Sequence, residues 1–463
     1  MTQHLPDIFN MFDYFLGARL EEGMGHRVAV RCDRGLTSYR DVFAWSGRWA
    51  SEFTEAGLNP GDRVVLALDD GVDFVSAFFG ILRAGAVVVM VNPGLGTDDV
   101  EYFLSYTGAA AAVLTPAAAT TFHEAASALQ PAPRMFILDE DARARLESVD
   151  PEFDTHRGSP DDPAIFLFSG GTTGRPKGVV QTHRSFVNTT ELYGQRVLGF
   201  APDDVTLSVP KLYFGYATGS NLLFPFSVGA STALFSERCT ADALFARISE
   251  HRPSVLINVP TMVNHLLSHP EADRQDLSCL RLSTSAGEAL PPELHRRWND
   301  RWHVPLLDGL GTAEMWHIFI SNRPDDVRPG TLGRPVAGFE VLACDDDGQP
   351  VAPGTVGRMR VRGASLALGY WKNDEATDAA FQNGWYLSGD MISMDDEGYV
   401  TYGGRADDML KVGGIYVSPF EVEGALGSHP AVLEAAVVGH ADDDRLIKPK
   451  ADVVLKQIGR AHV

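Results

Sequence analysis

The first three hundred residues alternate between continuous apolar runs and segments with apolar side chains at helical spacing. Residues 64–68 form one run, residues 75–82 carry apolar positions three and four residues apart, and residues 86–91 form a second run. Such runs are typical of strands buried on both faces, and their alternation with helices indicates parallel sheets. The same pattern recurs near Met135, Ile165, Leu234, Leu256 and Leu282.

The pattern changes twice in the second half of the chain. Residues 339–351 and 356–363 alternate apolar and polar positions around Asp-Gly turn chemistry, which predicts antiparallel hairpins. After residue 404, a short strand, a glycine pair and a helix from Pro419 indicate a separate small unit. We therefore expect a large N-terminal domain over residues 1–404 and a small C-terminal domain over residues 405–463; the family resemblance described below implies that this second domain is mobile and partial.

The predicted fold class is α/β. The N-terminal domain contains two parallel-type α/β subdomains and a small β subdomain, and a small, truncated α+β C-terminal domain follows. The alanine-rich residues 108–129 are expected to form a surface helix.

Composition narrows the class of protein without identifying it. The 463 residues are 44% apolar, enough for more than one domain, and carry a formal charge of −22. Such a charge disfavours nucleic acid and anionic membranes as partners. The N-terminus lacks a secretory leader, and Arg83 interrupts the most apolar segment, so we expect a cytoplasmic protein that does not span a membrane. The oligomeric state is left open.

A loop rich in glycine and hydroxyl groups follows the apolar run near Ile165. Its backbone amides, hydroxyls and lysine are the groups that bind phosphate oxygens. The sequence departs from the common nucleoside-triphosphatase loop because Arg175-Pro176 precedes the lysine and no serine or threonine follows it. The predicted phosphate-binding residues are Ser169, Gly170, Gly171, Thr172, Thr173, Gly174 and Lys177.

Three further motifs follow in order, at residues 311–314 (GTAE), 386–390 (YLSGD) and 404–411 (GRADDMLK). Together with the phosphate loop, they resemble the adenylate-forming superfamily of acyl-CoA synthetases, luciferases and peptide-synthetase adenylation domains. The resemblance spans nearly the whole chain. It implies an enzyme that uses ATP with Mg²⁺ to convert a carboxylic acid into an acyl-adenylate.

The resemblance also implies roles for individual residues. Thr312 would contact the α-phosphate, Glu314 would bind Mg²⁺, and Asp390 with Arg405 would hold the ribose hydroxyls. Without the resemblance, Glu314 fits a solvated acid at a helix start better than a metal ligand, and Asp390 fits a turn former. The predicted adenine-binding stretch comprises Gly287, Glu288, Ala289, Asp308, Gly309, Leu310 and Gly311, although glycine-rich strand ends are also common packing features.

Two segments indicate the acid. Residues 211–219 and 314–322 resemble the benzoate-CoA ligase subgroup, and neither offers an aspartate for an amino acid's ammonium group. Gly215 is smaller than the alanine expected in benzoate enzymes, which suggests room for a ring substituent such as hydroxyl or amino. The predicted substrate-binding residues are Phe214, Gly215, Tyr216, His317 and Ile318, and they favour a small aromatic acid.

The second half-reaction would join the acyl group to CoA after the C-terminal domain rotates. By resemblance, Asp407 is the hinge, Gly413 and Gly414 admit the pantetheine arm, and Lys411 lies on the face presented in that step. Asp407 and Lys411 also fit a turn carboxylate and a surface lysine.

The chain stops at Val463, before the family's C-terminal catalytic lysine. Residues 458–463 could be encoded by a common sequencing-adapter string, so we hypothesise a truncated gene model. Two alternatives stay open: an acyl-AMP ligase that loads a carrier protein, and an inactive ATP- or acid-binding remnant.

Overall fold

The computed structural model describes residues 5–170, 175–408, 410–412, 415–427, 429, 431–441 and 447–455. Within this part of the chain the fold is mixed α/β, as the sequence pattern predicts. The fold contains two large sheets, and one continuous core cluster contains residues from both of them and from the helices packed against them.

The larger sheet is parallel through its centre and antiparallel at both ends. Parallel pairing requires crossover connections, which the helices between its strands provide. Its nine described strands are, in spatial order, Arg334–Pro335, Ile318–Ser321, Leu306–Gly311, Leu282–Ser285, Val255–Asn258, Val205–Ser208, Ser231–Ala233, Val28–Cys32 and Gly35–Ser38.

The second sheet contains the predicted strand-helix-strand unit. Its central strands are parallel. The hairpin that carries the phosphate loop joins them through its first strand, which is parallel to Val87–Met90, and its second strand pairs antiparallel with the first. The seven described strands are, in spatial order, Gly369–Tyr370, Lys177–Thr182, Pro163–Ser169, Val87–Met90, Arg63–Ala67, Ala111–Leu114 and Arg134–Ile137.

The expectation for the alanine-rich residues 108–129 was wrong in its first part. Ala111–Leu114 is a fully buried strand of the second sheet, and only Ala119–Ala126 forms an α-helix. Gly108, with φ 61°, ends the preceding helix and lets the chain turn into the strand. Alanine favours helices locally, but here tertiary packing determines the conformation. Ala111–Leu114 lies between two other strands of the sheet and has apolar side chains on both of its faces.

The β subdomain after Gly330 is antiparallel, as expected. Its strands are Glu340–Cys344, Gly357–Arg362, Phe381–Gln382, Trp385–Met394 and Val400–Arg405. In the C-terminal part, Leu410–Val412 pairs with Ile415–Val417 and Val432–Ala441 pairs with Ile447–Leu455.

The α-helices cover the sheet faces. They are Ala18–Glu21, Tyr39–Glu55, Val72–Arg83, Thr97–Thr107, Ala119–Ala126, Glu140–Glu147, His183–Thr189, Gly215–Thr218, Phe224–Val228, Ala241–His251, Pro260–Ser268, Pro292–Trp302, Asp374–Ala380 and Pro419–Gly427. Asp13–Gly17, Thr190–Gln195 and Gly219–Leu223 are π-helical turns. No helix among the described residues combines the length and apolar character needed to cross a membrane.

Candidate active site

Two cavities open where the strands of the two large sheets end. The smaller has a volume of about 420 Å³ and a mainly apolar lining, and the larger has a volume of about 860 Å³ and a more polar lining. Gly287, Gly311, Thr312 and Ala313 line both cavities. Ligand groups held in the two cavities would therefore meet at this shared wall.

The two strand ends that adjoin the phosphate loop line the larger cavity. Ser169 and Lys177 are opposite each other in the antiparallel pair, and both line the cavity together with Gly170. The Lys177 ammonium nitrogen lies 5.1 Å from the centre of the Tyr370 ring. The other predicted loop residues, Gly171, Thr172, Thr173 and Gly174, lie outside the described residues.

The shared wall is built on the strand Leu306–Gly311. A Cβ atom at Gly311 would lie 2.1 Å from the His317 carbonyl oxygen, and one at Gly309 would lie 2.8 Å from the Ile320 carbonyl oxygen. Only glycine therefore allows the strand Ile318–Ser321 to pack this closely. Gly309, Leu310 and Gly311 line the larger cavity, whereas Asp308 is buried and its pKa is raised well above the ordinary value by that burial.

Residues 287–289 also line the larger cavity, and Gly287 lines the smaller one as well. Gly287 has φ 86°, a left-handed conformation that suits glycine after the strand Leu282–Ser285. The Glu288 Oε2 atom accepts hydrogen bonds from the Thr261 backbone N–H (3.0 Å) and hydroxyl (2.6 Å). This carboxylate thus anchors the start of the helix Pro260–Ser268.

Thr312 and Glu314 occupy the turn that follows the shared wall. The Thr312 Oγ1 atom is buried and has no hydrogen-bond partner among the described residues. Glu314 is 3% exposed, and its Oε1 atom accepts a hydrogen bond from the Tyr370 hydroxyl at 2.8 Å. A buried hydroxyl without a partner is the feature expected where a ligand supplies the missing hydrogen bond.

Asp390 and Arg405 lie on neighbouring strands at the far side of the larger cavity. They are opposite each other in the strand register, and the Arg405 guanidinium lies 3.3 Å from the Asp390 Oδ1 atom. The Ser388 hydroxyl donates to Oδ2 at 2.5 Å, which fixes the carboxylate. The pair presents an acceptor and a donor side by side, as a diol requires.

All five predicted substrate-binding residues line the smaller cavity. Phe214 is 54% exposed, whereas Tyr216 is half-buried and its hydroxyl lies 2.6 Å from Thr284 Oγ1. Gly215 faces Leu167, because an added Cβ would lie 3.3 Å from the methyl groups of that residue. The cavity therefore has aromatic walls and a leucine at the point where the sequence suggested extra room.

His317 shapes the wall of this cavity. Its Nδ1 atom accepts from the Ile318 backbone N–H at 2.8 Å, so the ring proton resides on Nε2, which lies 2.8 Å from Ser220 Oγ and 3.0 Å from the Tyr216 carbonyl oxygen. Burial lowers the pKa of His317 to about 3. The imidazole is therefore neutral, and both of its nitrogens are engaged by the protein.

The motif that opens the C-terminal part is described only partly. Asp407 lies in the short turn Ala406–Asp408 and lines the larger cavity. Lys411 belongs to the strand Leu410–Val412, and its side chain is outside the described part. Gly413 and Gly414 lie outside the described residues.

Several cavity residues were missed by the sequence reasoning. Tyr370, Tyr402 and Arg358 line the larger cavity, and Leu167 lines the smaller one. These four residues come from strands distant in sequence, and none of them belongs to a motif that marks it as a site residue. Tyr386 also lines the larger cavity; it begins the motif at residues 386–390, in which only Asp390 was given a role. A Gly-Tyr pair beside an apolar segment was the only available signal for Tyr370.

A family model of the AMP-binding enzymes matches residues 18–371, and a model of the AMP-binding enzyme C-terminal domain matches residues 421–462. The chain belongs to this family of adenylate-forming enzymes. It is 41% identical over 458 residues to benzoate-CoA ligase of Thauera aromatica, an alignment that covers 98% of this chain and 87% of that protein.

Two solved structures are similar over nearly the whole chain. The anthranilate CoA ligase AuaEII in complex with anthranoyl-AMP has a TM-score of 0.94 and 35% identity, covering 99% of this chain and 89% of that chain. A benzoate CoA ligase from Burkholderia xenovorans LB400 has a TM-score of 0.89 and 39% identity, covering 97% of this chain and 90% of that chain.

Proposed function

We propose that this enzyme activates benzoate or a substituted benzoate with ATP and then transfers the acyl group to CoA. The observation that supports it best is the shared wall at residues 311–313, where an aromatic cavity meets a polar one. The ring would occupy the smaller cavity and ATP the larger, so the carboxylate and the α-phosphate would meet beside Thr312. The names of the similar ligases agree with this assignment.

In the first step, a carboxylate oxygen attacks the α-phosphorus, the bond to the bridging oxygen breaks, and pyrophosphate leaves. Negative charge grows on the phosphate oxygens, so donors must already be in place. We assign Thr312 Oγ1 to an α-phosphate oxygen because it is buried and unpaired among the described residues. Lys177 and Ser169 would contact the β- and γ-phosphates from the hairpin ends.

The remaining nucleotide groups have matching positions around the larger cavity. Asp390 and Arg405 would bind the ribose hydroxyls, and residues 287–289 and 308–311 would enclose the adenine. Glu314 would hold Mg²⁺, which when bound offsets charge on the phosphate oxygens. Its carboxylate fits this role because Mg²⁺ in nucleotide sites needs only one or two protein carboxylates. No larger cluster of metal ligands occurs in the described part of the chain.

The smaller cavity favours an uncharged aromatic ring. Its lining among the described residues contains no acidic or basic side chain, and His317 is neutral. An amino acid's ammonium group would be buried there without a counter-ion, at a cost of several kcal/mol. A benzoate places only its carboxylate at the polar wall.

In the second step, the CoA thiolate attacks the acyl carbon, AMP leaves, and a thioester forms. We propose that residues 405–463 belong to a C-terminal domain that rotates about Asp407 between the two steps. Lys411, Gly413 and Gly414 would then approach the acyl-adenylate.

Pyrophosphate exchange into ATP tests the first step. We expect exchange with benzoate, aminobenzoate and hydroxybenzoate, and none with phenylalanine or acetate. Thr312→Val should slow exchange while Thr312→Ser, which keeps the hydroxyl, should retain most of it. Comparable exchange by Thr312→Val and wild type would contradict the role of the hydroxyl.

Acceptor choice tests the second step. With CoA present, the enzyme should release AMP and form an aryl-CoA thioester, measured by its absorbance and by mass spectrometry. Faster acyl transfer to a phosphopantetheinylated carrier protein than to CoA would instead favour the carrier-loading alternative.

A further inference from the structure

Glu314 does not stand alone in the larger cavity. The Tyr370 hydroxyl donates to its Oε1 atom at 2.8 Å, and both residues are buried, at 9% and 3% exposure. The Glu314 Oε2 atom has no hydrogen-bond partner among the described residues. One carboxylate oxygen is thus fixed by the protein while the other remains available to a ligand.

The same tyrosine lies beside the phosphate-loop lysine. The Lys177 ammonium nitrogen is 5.1 Å from the centre of the Tyr370 ring, within the range of a cation–π contact. The hydroxyl of Tyr370 therefore contacts Glu314, the proposed metal ligand. The ring of Tyr370 contacts Lys177, the proposed phosphate-binding residue.

The backbone holds Tyr370 firmly in this position. Tyr370 pairs with Val179 on the strand that begins at Lys177, and its N–H donates to the Thr377 hydroxyl at 3.0 Å. The preceding segment also bonds the glutamate's own backbone, since the Ala367 N–H donates to the Glu314 carbonyl oxygen at 2.8 Å. The phosphate-loop strand and the metal-ligand turn are thus tied to one short segment.

We propose that Tyr370 is a positioning residue for metal binding: it orients the Glu314 carboxylate so that Oε2 faces the metal and phosphates. This inference rests on the proposed function. Hydrogen bonds to a ligating carboxylate typically contribute about 10- to 100-fold to metal affinity, because they hold the ligand in one orientation.

Tyr370→Phe removes the hydroxyl and keeps the ring beside Lys177. We expect the half-saturating Mg²⁺ concentration in pyrophosphate exchange to rise roughly tenfold or more, while the KM for benzoate stays unchanged. Tyr370→Leu also removes the ring, and should raise the KM for ATP in addition. An unchanged Mg²⁺ requirement in Tyr370→Phe, or a change confined to the KM for benzoate, would overturn the proposal.

Electron paramagnetic resonance of Mn²⁺ with ATP measures metal binding without turnover. Tyr370→Phe should weaken Mn²⁺ binding by a factor similar to the rise in the half-saturating Mg²⁺ concentration. The double variant Glu314→Gln/Tyr370→Phe should bind Mn²⁺ no more weakly than Glu314→Gln alone. If none of the aromatic acids supports pyrophosphate exchange by the wild-type enzyme, the proposed function fails. The Mn²⁺-binding measurement still decides the role of Tyr370 in that case.

Tyr399→Phe is the matched control. It deletes a comparable hydrogen bond, to Asp326, in a tyrosine that does not line the larger cavity among the described residues, so its metal binding should equal that of wild type. If Tyr370→Phe fails to fold, Thr377→Val loosens the same tyrosine through its backbone and should weaken Mn²⁺ binding in the same direction. No weakening there would equally count against the proposal.

Discussion

Asp70 is a buried carboxyl group that holds the segment carrying Phe214 and Tyr216. Its Oδ1 atom accepts a hydrogen bond from the Leu212 backbone N–H at 2.9 Å. Burial raises the pKa of Asp70 from 3.8 to about 7, although the charge of Lys211 and the Leu212 N–H oppose the increase. Between these pH values, the folded protein retains a proton that the unfolded chain has lost.

The sign of the pH dependence follows directly. A carboxyl group with a raised folded-state pKa adds stability that is fully present below the unfolded pKa and is lost as the pH rises through the folded pKa. A shift of about 3 pKa units corresponds to about 4 kcal/mol, of which about 3 kcal/mol should be lost between about pH 5 and about pH 8. Asp70→Asn keeps an acceptor for Leu212 but cannot ionise.

The assay is guanidinium unfolding of wild type and Asp70→Asn across that pH range. We expect the variant to gain stability relative to wild type as the pH rises, by a total of about 3 kcal/mol. Asp69→Asn removes a charge from an exposed neighbour that adds to the raised pKa of Asp70, so this variant should retain most of the wild-type pH dependence. A constant difference for Asp70→Asn, or a loss of its relative stability at high pH, would show that Asp70 remains ionised beside Lys211.

Three further substitutions test the cavities. Gly219→Ala places a Cβ 2.2 Å from the His317 ring, so it should raise the KM for the aromatic acid and cost about 1–3 kcal/mol of stability in thermal unfolding. Gly215→Ala presses on Leu167 at 3.3 Å and should shift the kcat/KM ratio between benzoate and substituted benzoates; an unchanged ratio would remove Gly215 from specificity. Asp390→Asn should raise the KM for ATP by roughly tenfold or more without changing the KM for benzoate, measured by pyrophosphate exchange.

The sheet strands could be predicted because their burial leaves a direct record in the sequence. Strands such as Val87–Met90, covered on both faces, consist almost entirely of apolar residues, and the helices between them show a regular spacing. The strand Ala111–Leu114 escaped because its composition is ambiguous: alanine favours helices locally, and only the neighbouring strands Arg63–Ala67 and Arg134–Ile137 decide its conformation.

The site divides in the same way between local and long-range information. Thr312 and Glu314 lie in one short motif, so the resemblance could locate them. Tyr370 is 56 residues from Glu314 and reaches it only through pairing with the phosphate-loop strand. The sequence also placed His317 at the acid, but it could not show that both ring nitrogens are already occupied by the protein.

The shared wall links the kinetics of the two substrates. Residues 311–313 line both cavities, so a backbone shift there would move the proposed positions of both the acid and the nucleotide. Gly311 cannot accept a side chain without displacing His317, which itself lines the acid cavity. Changes at this wall should therefore alter the KM for both substrates together. Asp390 lines only the larger cavity, and Gly219 packs against His317, which lines only the smaller one, so each of their substitutions should affect one substrate. A double-mutant cycle between Gly219 and Asp390 should consequently be close to additive, because the two substitutions act on different cavities and neither replaces a residue of the shared wall.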